Sequence, residues 1–255
     1  MTQIIDFHTH PYLTKEQDFY IYKESNLSDI NEYRSILEKA GITKICGSVI
    51  QRAETVSDFL FLKKLNRDAL TLKEQFGDFY IPGFHIHPRF VKDSCDEIEF
   101  MHDKGIRLIG ELVHYMHDWG EFDEKALLEI MDVAGSYEMV CSYHTPFKYD
   151  MTNIIAANPK VKFVAAHPGE QNRVEEHIEL MKKYDNYYLD LSGTGLFRFG
   201  MLKHLVNKVG SERILFGTDY PICNPQMYVQ AVYGERITDA DRENIFYKNA
   251  ASMLF

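Results

Sequence analysis

The sequence predicts an α/β fold, a closed (β/α)8 TIM barrel. Three observations predict it: eight strand-length apolar runs, amphipathic stretches alternating with them, and a length that one such barrel fills. The runs are Gln3–His8, Thr43–Ile50, Phe79–His85, Ile106–Val113, Met139–His144, Val161–His167, Tyr187–Leu191 and Arg213–Thr218. They are apolar nearly throughout and rich in β-branched or aromatic residues, as parallel strands covered on both faces require. A chain of 255 residues suits one barrel domain over residues 1–255. The competing architecture is a doubly wound open sheet.

Taken in order, the first connection is the unusual one. Pro11–Asn26 is long for a loop and carries Tyr12, Phe19, Tyr20 and Tyr22. It reads either as a lid over the barrel mouth or as an aromatic loop packed outside. Next, Asp29–Ala40 gathers Ile30, Tyr33, Ile36 and Leu37 on one helical face, with Ser28 as the N-cap. Arg173–Tyr184 does the same with Val174, His177, Ile178 and Met181. Helices end at Gly41, Gly77, Gly105 and Gly210, where a left-handed residue closes the last turn.

Composition narrows the function. With 45% hydrophobic residues the chain can build a sizeable core without disulfides or a structural metal. Lys plus Arg number 28 against 38 Asp plus Glu, a net charge of −10, and no basic run interrupts the acidic balance. Nucleic acid is therefore disfavoured as a partner. The cysteines Cys46, Cys95, Cys141 and Cys223 are widely spaced and read as free thiols of a reducing, cytoplasmic compartment. Met1–Asp6 lacks the basic-then-apolar pattern expected of a signal peptide, and no apolar run reaches membrane-spanning length. The expected partner is a small-molecule substrate, and a homo-oligomer is left open.

The chemistry sits where the strands end. His8 and His10 close the first strand, and residues two apart on a strand point to the same side. Glu111 falls late in the fourth, His144 ends the fifth, His167 the sixth, and Asp219 follows the eighth. A buried carboxylate or imidazole is costly unless paired, hydrogen-bonded or bound to metal. All six lie at the C-terminal ends of strands, the face on which barrels of this kind build active sites.

On these residues the sequence resembles the amidohydrolase superfamily. His8-Thr9-His10, the histidines ending strands five and six, and Gly217-Thr218-Asp219 carry the resemblance. The stretches Phe163–Gly169, Leu189–Gly193 and Ile214–Pro221, with Ile245 and the close Asn249–Phe255, are similar to its amidohydrolase-related (amidohydrolase 2) branch, which holds both hydrolases and non-oxidative decarboxylases. Strand four has Gly110-Glu111 where many members place a carbamylated lysine, and so looks like the TatD-like hydrolases. Gly83–Pro88 also resembles that group, although Arg89 stands where its second histidine would follow the proline.

The resemblance implies one metal held by His8, His10 and Asp219 and another by His144 and His167, with Glu111 bridging. It implies one or two divalent ions, zinc first, with manganese, iron or nickel as alternatives. Asp219 is then the catalytic residue that accepts a proton from the attacking water and passes it to the leaving group. The leading expectation is a binuclear hydrolase of a small amide, lactone or ester. The alternatives are a single-metal decarboxylase, which Glu111 argues against, a TatD-like phosphoesterase or deoxyribonuclease, and a metal-binding protein without turnover.

Several residues carry double readings. Asp6 either orients a ligand imidazole or ties the base of the barrel. His87, Arg173 and Arg198 are candidate substrate contacts, against ordinary packing or surface ion pairs. His114 and His117, in a loop with Trp119, either line the mouth or serve as loop residues. His102, His177 and His204 fall on helices and read as structural or solvent-facing.

Overall fold

All eight expected runs form strands in a computed structural model, which describes residues 3–18, 21–22, 29–121, 123–147 and 150–255. The strands are β1 (Ile5–Asp6), β2 (Lys44–Gly47), β3 (Tyr80–Phe84), β4 (Leu108–Leu112), β5 (Val140–His144), β6 (Lys162–Ala166), β7 (Tyr187–Asp190) and β8 (Ile214–Leu215). They pair in sequence order, every pairing parallel. The eighth meets the first beyond the regular strands. Phe7 N donates to Phe216 O, Asp219 N to His8 O and His10 N to Tyr220 O, each at 2.8 Å, and Thr9 bridges Tyr220. This seam closes the barrel and sets His10 beside Asp219, 209 positions away in sequence.

Eight helices follow the strands in turn: α1 (Ile30–Lys39), α2 (Leu60–Phe76), α3 (Val91–Asp103), α4 (Glu124–Ser136), α5 (Thr152–Ala157), α6 (Gln171–Lys183), α7 (Met201–Val209) and α8 (Pro225–Gly234). The short α9 (Asp239–Glu243) leads through a π-turn into α10 (Asn249–Leu254). The cap of α1 is Asp29, whose Oδ1 accepts from Asn31 N at 2.7 Å and Glu32 N at 3.0 Å. Ser28, the expected cap, lies outside the described residues. Where a helix must stop and the chain reverse, Gly77 and Gly210 cap α2 and α7 at φ +57° and +75°; a side chain there would be strained.

Two cores hold the fold. Between strands and helices pack Tyr33 and Leu37 of α1, Leu62 and Leu65 of α2, and their counterparts around the ring. Inside the barrel, Ile5, Leu108, Val140, Val164 and Leu215 meet Ala250, Met253 and Leu254. The last helix therefore plugs the N-terminal end, and the opposite end is left for chemistry. Of the long first connection, Tyr12 packs inward against Tyr33, ring centroids 5.8 Å apart, and does not cover the mouth. Gln17 Nε2 ties the same segment to Asp68 of α2. Tyr22 is exposed, while Phe19 and Tyr20 lie outside the described residues. Among the described residues no helix is long and apolar enough to cross a membrane.

Candidate metal centre

The six strand-end residues converge. His8 and His10 turn their Nε2 atoms to within 3.3 Å of each other. Asp219 Oδ1 lies 3.0 Å from His10 Nε2 and 3.6 Å from His8 Nε2. Two ligands ~2.1 Å from one tetrahedral ion stand about 3.4 Å apart, so these separations are those of donors around a shared cation. On the other side, His144 Nδ1 lies 3.2 Å from His167 Nε2. Glu111 sits between the two sets. Its Oε2 is 3.4 Å from His8 Nε2 and 3.7 Å from His10 Nε2, and its Oε1 is 2.9 Å from His144 Nδ1 and 3.7 Å from His167 Nε2. The triads His8–His10–Asp219 and His8–Glu111–His167 each bring three donor atoms close enough for one ion.

The electrostatics agree with such a site. Burial works against charge on Glu111, yet His8 and His144 hold its carboxyl well below the ordinary range. Burial likewise opposes charge on His8, but Asp190 and Glu111 keep its imidazole well above the usual value. Three buried carboxylates, those of Glu111, Asp190 and Asp219, thus crowd around imidazoles. A divalent cation would neutralise this surplus of negative charge better than shared protons do. The donor set of imidazole and carboxylate suits zinc or manganese. His167 and Asp219 also adopt φ of +71° and +67°, a left-handed region uncommon for non-glycine residues.

Behind the donors stands a layer that the sequence reading did not assign. Asp190 Oδ2 is 3.0 Å from His8 Nδ1, and Ser192 Oγ is 3.1 Å from that nitrogen and 3.0 Å from His167 Nδ1. Of its two expected roles, Asp6 takes the one within the barrel's hydrogen bonding rather than the one at an imidazole. Its carboxylate accepts from the backbone of His8 and Thr218 and from the Thr218 hydroxyl, fixing both sides of the barrel seam. Burial pushes its carboxyl up to about 7. The signal for Asp190 and Ser192 was the one used for His8 and His10: polar residues two apart at a strand end share a side.

A cavity of about 520 Å³ opens beside the donors, lined by His144, Thr145, His167, Arg173, Thr194 and Asp219 among others. Arg173, on α6, reaches this wall while pairing with Glu176. Arg198 does not: it pairs with Glu170 and lines a separate cavity with Phe199 and His204. His87 is fully buried, its Nε2 spent on His117 O at 2.9 Å and its Nδ1 accepting from Arg89 N at 3.1 Å, so it stands away from the cavity. His117 is buried with it, whereas His114 lines a separate cavity with Tyr115 and Trp119. Tyr115, half-exposed, brings its hydroxyl to 3.4 Å from His144 Nε2, and Phe147 stacks edge-on against His114 and Trp119. His102 and His177 are on α3 and α6 as expected, and His204 pairs with Glu175. The cysteines are free.

Fold and donors together define a class, and the chain belongs to it: the amidohydrolase family, whose model matches residues 5–255. Among its relatives, a gamma-resorcylate decarboxylase from Polaromonas sp. (strain JS666 / ATCC BAA-500) is 30% identical over 106 residues, which is 42% of this chain and 30% of that protein. The matched segment spans under a third of the relative's length. Two solved structures show the same barrel. An uncharacterised TIM-barrel protein from Bordetella bronchiseptica superposes with a TM-score of 0.77 at 19% identity, covering 99% of this chain and 98% of that one. A dihydroxybenzoic acid decarboxylase from Polaromonas sp. JS666, with bound manganese and the inhibitor 2-nitroresorcinol, gives 0.67 at 16% identity, covering 100% and 97%.

Proposed function

We propose that this protein is a metal-dependent enzyme that removes carbon dioxide non-oxidatively from a small hydroxylated aromatic carboxylate. The observation that carries the reading is one cavity lined by His144, His167, Asp219 and Arg173, in which His144 is paired with Glu111 and has the Tyr115 hydroxyl beside it. The partial kinship with a gamma-resorcylate decarboxylase supports it, and moves the reading from the hydrolase expected first to the decarboxylase weighed as its alternative. His8, His10 and Asp219 would hold the ion, with Glu111 Oε2 beside them. When bound, a divalent cation supplies positive charge against which anionic substrate oxygens are held. Manganese fits this role as zinc does, and it is the ion in the similar decarboxylase structure.

The chain's own groups supply the rest. Arg173 offers a planar fork to a carboxylate from the cavity wall. Tyr115 flanks a ring seated beside His144. His144 Nδ1–H donates to Glu111, so the carboxylate stabilises an imidazolium whose other nitrogen faces Tyr115. From Nε2 this imidazolium gives a proton to the ring carbon that bears the carboxylate. The bond to the carboxylate then breaks, its electron pair returns to the ring, and carbon dioxide leaves. His144 regains its proton from solvent, so each turnover consumes one proton.

A second reading is favoured by one observation: the two oxygens of Glu111 face separate donor sets. It is hydrolysis of a small amide, lactone or ester at a two-ion centre, with Asp219 accepting the proton of the attacking water. The metal-loaded protein should be offered hydroxybenzoates, and separately esters, lactones and amides, with carbon dioxide release and metal content recorded. The decarboxylase releases carbon dioxide, and His144→Gln cuts that turnover at least ~10²-fold while one ion stays bound. Ester or lactone turnover without carbon dioxide, together with loss of a second ion in His144→Gln, would hand the assignment to the hydrolase.

A further inference from the structure

Four polar groups behind the donors form a chain of hydrogen bonds whose direction is fixed by proton counting. Asp190 is the anchor. Fully buried at the end of β7, it can only accept as a carboxylate. Its Oδ2 faces His8 Nδ1 at 3.0 Å, and its Oδ1 accepts both the Ser192 backbone N–H at 2.9 Å and the Ser192 hydroxyl. An unprotonated Nδ1 would set its lone pair against the Asp190 oxygen, so His8 Nδ1 carries the proton. Ser192 has a single hydroxyl proton and gives it to Asp190. At 3.0 Å from His167 Nδ1, its oxygen can then only accept, and His167 Nδ1 carries a proton too.

From this we infer that Asp190 and Ser192 act as one tautomer lock that holds the Nδ1 proton of both His8 and His167, so that Nε2 is the nitrogen of each that meets a cation or gives up a proton. Neither residue touches the cavity donors' reacting atoms, so both are positioning residues. Two glycines make room for the lock. A Cβ at Gly217 would crowd His8, Asp190 and Ser192, and a Cβ at Gly193 would overlap the His167 ring. The inference rests on the metal-centre reading only for its effect on metal affinity; the tautomers themselves are a property of the metal-free protein.

The lock makes a specific demand on Asp190→Asn. An amide replaces one acceptor oxygen by a donor, so it cannot accept from both His8 and Ser192. The Oδ1 position receives two donors from Ser192, so it keeps the oxygen, and the amide nitrogen falls opposite His8. His8 Nδ1 must then become the acceptor and its proton must move to Nε2, the face of the metal centre. Ser192→Ala removes the contacts to both rings, but Asp190 still holds the His8 Nδ1 proton, so only His167 loses its tautomer preference.

Histidine-labelled, metal-free protein examined by nitrogen-15 NMR, with the pH raised until His8 has lost its second proton, reads these protons directly. The parent is expected to show His8 and His167 protonated at Nδ1, Asp190→Asn to move the His8 proton to Nε2, and Ser192→Ala to affect His167 alone. Zinc or manganese titration should show affinity lower by about 10–100-fold in Asp190→Asn. Unchanged tautomers in a folded Asp190→Asn overturn the lock; should that variant fail to fold, a His167 still protonated only at Nδ1 in Ser192→Ala does so. Moved tautomers with unchanged affinity would keep the lock and instead count against His8 as a ligand.

Discussion

The chain carries two histidine pairs with the same spacing at strand ends, and they do opposite things. His8 and His10 aim their Nε2 atoms at each other, with Glu111, Asp190 and Asp219 around them. His85 and His87 spend theirs on backbone carbonyls instead, Val49 O at 2.8 Å and His117 O at 2.9 Å. The carboxylates hold His8 well above the ordinary imidazole value, whereas burial without a carboxylate partner lowers His85 and His87 to about 4. Spacing alone therefore makes two imidazoles neighbours. Carboxylates delivered by distant strands make them a candidate metal site, and carbonyls make them packing.

The largest effect should come from breaking each pair in turn. His10→Ala is expected to abolish tight ion binding and turnover together. His87→Ala should leave metal content intact and cost about 2–4 kcal/mol of stability, the usual penalty for an emptied buried site with an orphaned partner. Elemental analysis and denaturant unfolding of both variants decide this. Metal loss in His87→Ala, or retention in His10→Ala, would reverse the roles of the pairs.

A second effect follows from the neutral pair. His85 is neutral in the native protein and binds its proton near pH 4, against about 6.5 when unfolded. The unfolded chain therefore binds more protons over that window. Stability from this residue is complete above pH 6.5 and is lost as pH falls towards 4, a loss on the order of 3 kcal/mol. His117, pushed well below its usual value by burial, adds to the same trend. Unfolding free energies between pH 7 and 4 should show this slope, and His85→Gln should flatten it. An equal slope in the variant would mean that His85 is not buried neutral.

The smallest effect belongs to the rim. Tyr115→Phe removes a hydroxyl 3.4 Å from His144 Nε2 and keeps the ring. It should lower kcat about 2–10-fold, the worth of one modest hydrogen bond, with metal content unchanged. A loss of 10³-fold would promote Tyr115 to the proton-transfer step itself.

The sequence disclosed the strands well because apolar runs covered on both faces leave a continuous signal, and each observed strand falls inside its expected run. Glu111, His144, His167 and Asp219 were legible for the same reason: a polar residue ending such a run stands out. What stayed hidden depends on the closed barrel. Asp190 meets His8 across 182 positions, and the Asp6 carboxylate reaches Thr218 across 212. Periodicity within one strand cannot show which residue another strand will present. Which of its two readings Arg198 takes, substrate contact or surface ion pair, was hidden for a related reason. Its place in the loop after β7 was visible, but not the nearby Glu170 that captures it.

The central claim is that the His8–His10–Asp219 triad is a cation site. Crystals of protein loaded with manganese, measured at the manganese absorption edge, test it most directly. The account predicts an anomalous peak bonded to His8 Nε2, His10 Nε2 and Asp219 Oδ1, with any second peak between His144 and His167 favouring the hydrolase reading. Fully loaded crystals with no peak at the triad, or with one at His85 and His117 instead, would contradict it.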